Sequence, residues 1–187
     1  MGEYSMKIGI AGVGGIGSNV AMHLVRSGIT NLKFGDFDTI EHSNLNRQFY
    51  FRNQIGNPKA LCLRNNLKLI DETGNYDSHI IKFTRENIKD FFKDCDIIVD
   101  GFDKKEYKSI LVEELYGSNK IILTVSGIGG KASDEVKVIK KTDRFYIVGD
   151  MESDIKEFKT YSHKVGIVAA KVAEIIIKMV MWEWEKE

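Results

Sequence analysis

The chain has 187 residues but only one proline and two cysteines, and its formal charge is zero, with 27 Lys plus Arg against 27 Asp plus Glu. Cys62 and Cys95 form no CxxC pair. That excludes a disulfide scaffold and a four-cysteine zinc site within the chain, and points to an intracellular setting. The charge balance removes any bulk electrostatic reason to bind nucleic acid or an anionic membrane, so an anion must be held by a local site. The start, MGEYSMKIGIAG, lacks a basic region followed by an apolar run and a small-residue cleavage site. It does not read as a signal peptide, and a cytoplasmic protein is expected. The longest apolar stretch, Val165 to Trp184, carries Lys171, Glu174 and Lys178 on one helical stripe, more charge than a bilayer span tolerates. A packed core helix is expected there. The four histidines, His23, His42, His79 and His163, fall on separate segments without ligand-like spacing.

A hydrophobic content of 43% excludes disorder. The length fits one domain over residues 1–187, since domains run to about 100–200 residues. Met6 to Ala11 reads as a strand that opens on a glycine cluster, then a helix from Ser18 to Ser27 stopped by Gly28. Asn31 to Gly35 is a second strand ending at Asp36, and Ile40 to Asn57 is a polar, irregular, functional loop. Pro58 suits a first helical turn, with Ala60 to Ile70 following. His79 to Phe83, Asp96 to Val99 and Ile121 to Val125 read as strands. A short helix capped by Thr84 runs to Phe92, and another spans Lys104 to Tyr116. Glu135 to Ile139 and Phe145 to Val148 suggest a hairpin at the sheet edge. The alternation predicts an α/β fold: a doubly wound, mainly parallel sheet with a β-hairpin edge and a C-terminal core helix, binding ligand at the carboxyl ends of its strands.

Gly12-Val13-Gly14-Gly15-Ile16-Gly17 is a GxGxxG between strand and helix, with Asp36 nineteen positions beyond Gly17. Glycines admit a phosphate to the backbone, a helix start offers N–H donors, and the acid suits ribose hydroxyls. The motif alone does not separate NAD from ATP. The following segments do: Asp36-Phe37-Asp38, then Ser43-Asn44-Leu45-Asn46-Arg47-Gln48, then Gly56-Asn57-Pro58-Lys59. In this order they resemble the ThiF/MoeB superfamily of ubiquitin-activating-enzyme-like adenylyltransferases, whose fingerprint is GxGGxGS, DxD, SNLxRQ and GxxK. The resemblance continues through Asp100-Gly101-Phe102-Asp103 and Ser126 to Gly130 to the last helix, and is strongest with the short forms that act on a sulfur carrier in thiamine biosynthesis.

The resemblance implies a Rossmann-like ATP-binding fold and adenylylation of the C-terminal glycine carboxylate of a small ubiquitin-like sulfur carrier with a diglycine tail, releasing pyrophosphate. A carboxylate needs no general base, so catalysis rests on positioning and charge neutralisation. By resemblance Arg47 and Lys59 contact phosphates, Asn44 and Gln48 order the nucleotide loop, Asp36 binds ribose, and Asp103 binds Mg²⁺. Gly12, Gly14, Gly15, Gly17 and Asp38 complete the nucleotide set. Asp38 also suits a loop-capping role, Asp100 a strand end, and Arg52 a surface position. Neither cysteine lies where relatives form a covalent carrier link, so the reaction should stop at the acyl-adenylate, with sulfur delivered by a separate donor protein. Homodimerisation is compatible with the shared core. Lys164-Val165 stands where short relatives carry Arg-Val. The other readings are the same chemistry on a molybdopterin-synthase carrier or a tRNA-linked carboxylate, an inactive nucleotide-binding partner subunit, and an NAD oxidoreductase.

Overall fold

The computed structural model describes residues 6–181. The glycine-punctuated order of short apolar runs and amphipathic segments folds as β1 (Ile8–Ala11), α1 (Gly15–Arg26), β2 (Asn31–Gly35), α2 (Lys59–Lys68), β3 (Asn75–His79), α3 (Arg85–Phe91), β4 (Ile97–Asp100), α4 (Lys105–Leu115), β5 (Ile121–Val125), β6 (Lys137–Thr142), β7 (Phe145–Gly149) and α5 (Ser162–Val180). The seven strands form one sheet in the order β3-β2-β1-β4-β5-β7-β6, parallel except for β6. This is the expected doubly wound sheet with a hairpin edge. The strand order reverses between β1 and β4, which opens a crevice beyond their carboxyl ends.

Alternation along the strands assigns side chains to two cores. Ile8, Ile10, Ile97 and Val99 pack with α1, α2 and α5, whereas Ala11 and Ile98 pack with α3 and α4. Helix α1 presents Ile16, Val20, Ala21, Leu24 and Val25 as one buried stripe. Its end is a Schellman closure: Gly28, at φ +84, donates its N–H to the Val25 carbonyl at 3.0 Å, and Ile29 donates to Leu24 at 2.9 Å. In α5, Val165, Val168, Ala169, Val172, Ala173 and Ile176 recur at spacings of three and four on the buried face. The expected extension of this helix to Trp184 lies partly outside the described residues. No helix among the described residues is long and apolar enough to cross a membrane.

Several boundaries differ from the sequence expectation: β1 starts at Ile8 rather than Met6, α1 at Gly15 rather than Ser18, and α2 ends at Lys68 rather than Ile70, while the third strand and the hairpin differ for reasons of packing. The third strand is Asn75–His79, not His79 to Phe83. Pairing with β2 uses the polar stretch, whose Tyr76 enters the core, while Ile81 and Phe83 leave the ladder to pack against Gly35 and α3. An apolar run here serves a wall rather than a ladder. The hairpin strand begins at Lys137, two residues later than Glu135, because Lys137 is the first residue in register with β7, opposite Gly149.

The turn after β1 is fixed by clearance. A Cβ on Gly17 would stand 2.0 Å from the Gly12 carbonyl oxygen, and one on Gly101 2.2 Å from the same atom. Gly17→Ala should therefore cost about 3 kcal/mol, the upper end of overpacking. At this chain length that lowers the thermal midpoint by about 6–12 °C in a calorimetric scan.

Candidate functional site

The crevice is lined by Gly12, Gly14 and Gly15 beyond β1, Asp36 and Asp38 beyond β2, Arg47, Gln48 and Lys59 from the following loop, and Asp103 beyond β4. Helix α1 starts at Gly15, so its unpaired N–H groups open on the same space. Gly14 keeps the wall open, with Gln48 Nε2, 3.7 Å away, the nearest atom to a Cβ there. Gly17 and Asn44 are not among the lining residues. Gly17 sets the helix against β1, and Asn44, buried, accepts the Glu41 N–H at 3.0 Å to close a 3₁₀ turn at His42–Asn44.

Asp36 is buried and divides its oxygens between two loops, Oδ2 accepting the Val13 N–H and Oδ1 the Asp38 N–H, each at 2.8 Å. Burial pushes its carboxyl above the usual range, opposed by the Lys59 charge and these backbone donors. Lys59 is buried, and its Nζ donates to Asp38 Oδ2 at 3.0 Å. The more exposed Asp38 thus both anchors the Lys59 ammonium and, through its carbonyl, receives the Lys59 N–H at 3.0 Å. Arg47 Nη1 donates to the Ser43 carbonyl at 3.0 Å and Asn46 Oδ1 at 2.8 Å, which fixes the guanidinium at the cleft edge. Gln48 is buried, and its Oε1 has no hydrogen-bond partner, an unmet acceptor at the wall.

The two acids beyond β4 have separate places. Asp100 is fully buried and accepts from Lys108 Nζ at 2.9 Å, Thr124 Oγ1 and the Phe102 N–H, a closed structural network. Asp103 is exposed in the cleft, with an oxygen set suited to Mg²⁺, which takes one or two carboxylates plus phosphate oxygens and water. Among the described residues no three His, Cys, Asp or Glu side chains converge, so a cation here would rest on Asp103 and a ligand's own oxygens.

Several supporting residues lie outside the site set expected from the motifs. Ser18 Oγ accepts the Phe49 N–H at 3.1 Å, and Asn19 Nδ2 donates to the Arg47 carbonyl at 2.8 Å, so the first turn of α1 holds the Arg47 loop. The buried Tyr50 hydroxyl donates to the Val13 carbonyl at 2.7 Å and lies 3.3 Å from the Lys59 carbonyl. It joins the glycine turn to the start of α2. Phe37, Ile81, Phe83, Phe102 and Tyr107 form an apolar side of the cleft suited to a planar base. Only the apolar His79 to Phe83 run signalled part of that wall.

The roof comes from Ile128, Ile155 and Thr160. Lys164 ties it down: Nζ, buried, donates to Asp150 Oδ2 at 2.6 Å, the Gly129 carbonyl at 2.5 Å and Ser153 Oγ at 3.0 Å. Lysine supplies three separately directed donors where an arginine fork would supply a planar pair.

This glycine turn, acid pair, basic loop and strand-end aspartate occur in one chain-wide pattern: the family model described as ThiF family matches residues 4–183. The chain belongs to the ThiF family. It is 36% identical over 138 residues to the SUMO-activating enzyme subunit 2 of Dictyostelium discoideum, covering 72% of this chain and 20% of that protein. It is 34% identical over 105 residues to the sulfur carrier protein ThiS adenylyltransferase of Bacillus subtilis, covering 54% and 31%. The chain thus spans about a third or less of these two curated relatives. Among solved structures, the E. coli tRNA N6-threonylcarbamoyladenosine dehydratase TcdA in complex with AMP superposes with a TM-score of 0.86 at 18% identity, covering 98% of this chain and 89% of that one. At that identity the likeness is one of fold.

Two outcomes follow from this ThiF-family geometry. Gly14→Ala should leave the thermal midpoint nearly unchanged yet weaken any nucleotide binding in the cleft about tenfold by calorimetric titration, because the methyl group would occupy ligand space rather than protein space. Lys164→Met should cost about 3 kcal/mol by leaving Asp150 without its ion partner. Burial pushes the Asp150 carboxyl up, but Lys164 and Ser153 hold it well below the usual range. Its stabilisation is therefore present above about pH 4 and lost as pH falls toward the folded value. Urea melts of the variant should show a shallower loss of stability below about pH 4 than wild type.

Proposed function

We propose that the chain is an ATP-dependent adenylyltransferase that activates the C-terminal carboxylate of a ubiquitin-like sulfur carrier, ThiS in the first instance. The observation that carries this reading is the convergence of Asp36, Arg47, Lys59 and Asp103 on one glycine-walled cleft in a ThiF-family chain. Relatives named as a ThiS adenylyltransferase and a sulfur carrier protein adenylyltransferase support it.

The residues divide the work. The apolar wall of Phe37, Phe83 and Tyr107 takes the base, and Asp36, already positioned by two backbone donors, accepts from ribose hydroxyls. Gly14 and the start of α1 receive the phosphate chain. Lys59 exchanges Asp38 for phosphate oxygens, while Arg47 neutralises charge that grows on the departing pyrophosphate. The carrier carboxylate is ionised at neutral pH, so no residue need remove a proton. Its oxygen bonds to the α-phosphorus as the bond to the bridging oxygen breaks, giving acyl-adenylate and pyrophosphate. A Mg²⁺ ion held by Asp103 and phosphate oxygens would add charge neutralisation when bound.

Carrier-dependent exchange of labelled pyrophosphate into ATP tests the proposal. Wild type should exchange only when ThiS is present, and Lys59→Met and Asp103→Asn should each reduce kcat/KM by about 100-fold, the scale of one lost charge-stabilising contact. Asp100→Asn should instead appear mainly as lost stability. No exchange with any diglycine-tailed carrier overturns the reading.

A further inference from the structure

A second pocket opens beside the nucleotide cleft. Arg47, Ile155 and Thr160 line both spaces, so the two are continuous. Their charge differs. The cleft contains Asp36, Asp38 and Asp103, whereas the second pocket carries Arg47, Lys159 and His163 among hydroxyl and apolar side chains, with no carboxylate from the described residues. In a chain of 27 basic and 27 acidic residues that separation is a local arrangement. Cations gathered around a concave space without an acid repel one another and attract an anion.

Both formal cations have donors to offer. Arg47 spends one nitrogen, Nη1, on the Ser43 carbonyl and Asn46 Oδ1, which leaves Nε and Nη2 as the open edge of a braced guanidinium. Such an edge matches two phosphate oxygens. The exposed Lys159 ammonium has no partner among the described residues, unlike those of Lys59, Lys108 and Lys164, each held by an aspartate. Its backbone is fixed. The Lys159 carbonyl accepts the Gly130 N–H at 2.9 Å, and His163 Nε2 lies 2.7 Å from the Lys131 carbonyl, which can only accept, so Nε2 donates. The wall that carries Lys159 is thus pinned at both ends to one neighbouring segment.

We infer that this pocket takes a diphosphate group, with the open edge of Arg47 and the Lys159 ammonium each donating to phosphate oxygens. The choice of ligand rests on the adenylyltransferase reading, in which pyrophosphate parts from the nucleotide beside Arg47. Calorimetric titration of inorganic pyrophosphate into the chain saturated with AMP tests it. Wild type should bind, Lys159→Met should bind about tenfold more weakly, the scale of one charge-assisted contact, and Lys159→Arg should restore most of the loss. Lys156→Met removes the same charge from the same loop but outside the pocket, and should leave the affinity unchanged. All three variants should bind AMP as wild type does. ATP, titrated alone, separates the two sources of the group: a parallel loss in Lys159→Met places the terminal phosphates of bound ATP in the pocket, and an unchanged affinity reserves it for pyrophosphate after cleavage. Equal pyrophosphate affinities in wild type and Lys159→Met overturn the pocket. So do equal losses in Lys159→Met and Lys156→Met, the mark of bulk charge, and a wild type that binds AMP but no pyrophosphate. The functional reading fails separately. Absence of exchange with any diglycine-tailed carrier removes it while a Lys159-dependent pyrophosphate affinity stands; carrier-dependent exchange whose KM for pyrophosphate is not raised by Lys159→Met removes the pocket alone.

Discussion

One backbone oxygen governs the layout. The Gly12 carbonyl lies where Gly17 and Gly101 approach so closely that a methyl group on either would stand 2.0 or 2.2 Å from it. Three chain segments meet there: the end of β1, the first turn of α1 and the turn after β4. Removing side chains at this point lets α1 start directly behind β1, aligned with the reversal of strand order. The N–H donors of α1, Asp36 from β2 and Asp103 from β4 then face one space without any long loop to aim them. Glycine clearance thus precedes electrostatics in building the site.

The electrostatics are local, as the balanced composition requires. Lys59 pairs with Asp38, Lys108 with Asp100 and Lys164 with Asp150, each at 3.0 Å or less. These pairs differ in what surrounds the acid. Asp100 and Asp150 are buried and accept several donors, so their lysines are committed to structure. The Asp38 side chain is about half exposed, so water can solvate it without Lys59. The same ion-pair chemistry therefore serves as a fixed brace twice and as a releasable latch once, and burial of the acid decides which.

Sequence spacing made the sheet, the glycine turn and the polar loop legible because each has a local signal: periodicity, glycine, or charge beside a helix start. It made the position of β3 illegible, since apolar content marks burial but not whether burial comes from a ladder or a cleft wall, and Ile81 and Phe83 take the wall. Asn44 and Gly17 lie inside strong motifs yet serve the scaffold, because a motif records what a loop needs in order to form as well as what a ligand touches. Tyr50 and Asn19 had no signal at all, and Lys164 had only its place in the Lys164-Val165 pair. Their partners are backbone carbonyls far away in the chain, and any residue can offer a carbonyl.

Helix α5 links these parts. At its first turn Lys164 holds the Gly129 and Asp150 segments of the roof, and the next residue, Val165, approaches the place where a Gly15 side chain would begin, 3.2 Å from its Cγ1. Roof and phosphate turn are therefore set against the same two residues of one long, core-packed helix, whose buried stripe resists sliding. Any displacement of the roof must either break the Lys164 contacts or move α5 against α1. The first is the softer route, because the roof segments are loops and the helix interface is close-packed. The arrangement sets a rigid glycine turn beside a wall built of loops, so the two sides of the cleft differ in how readily they move.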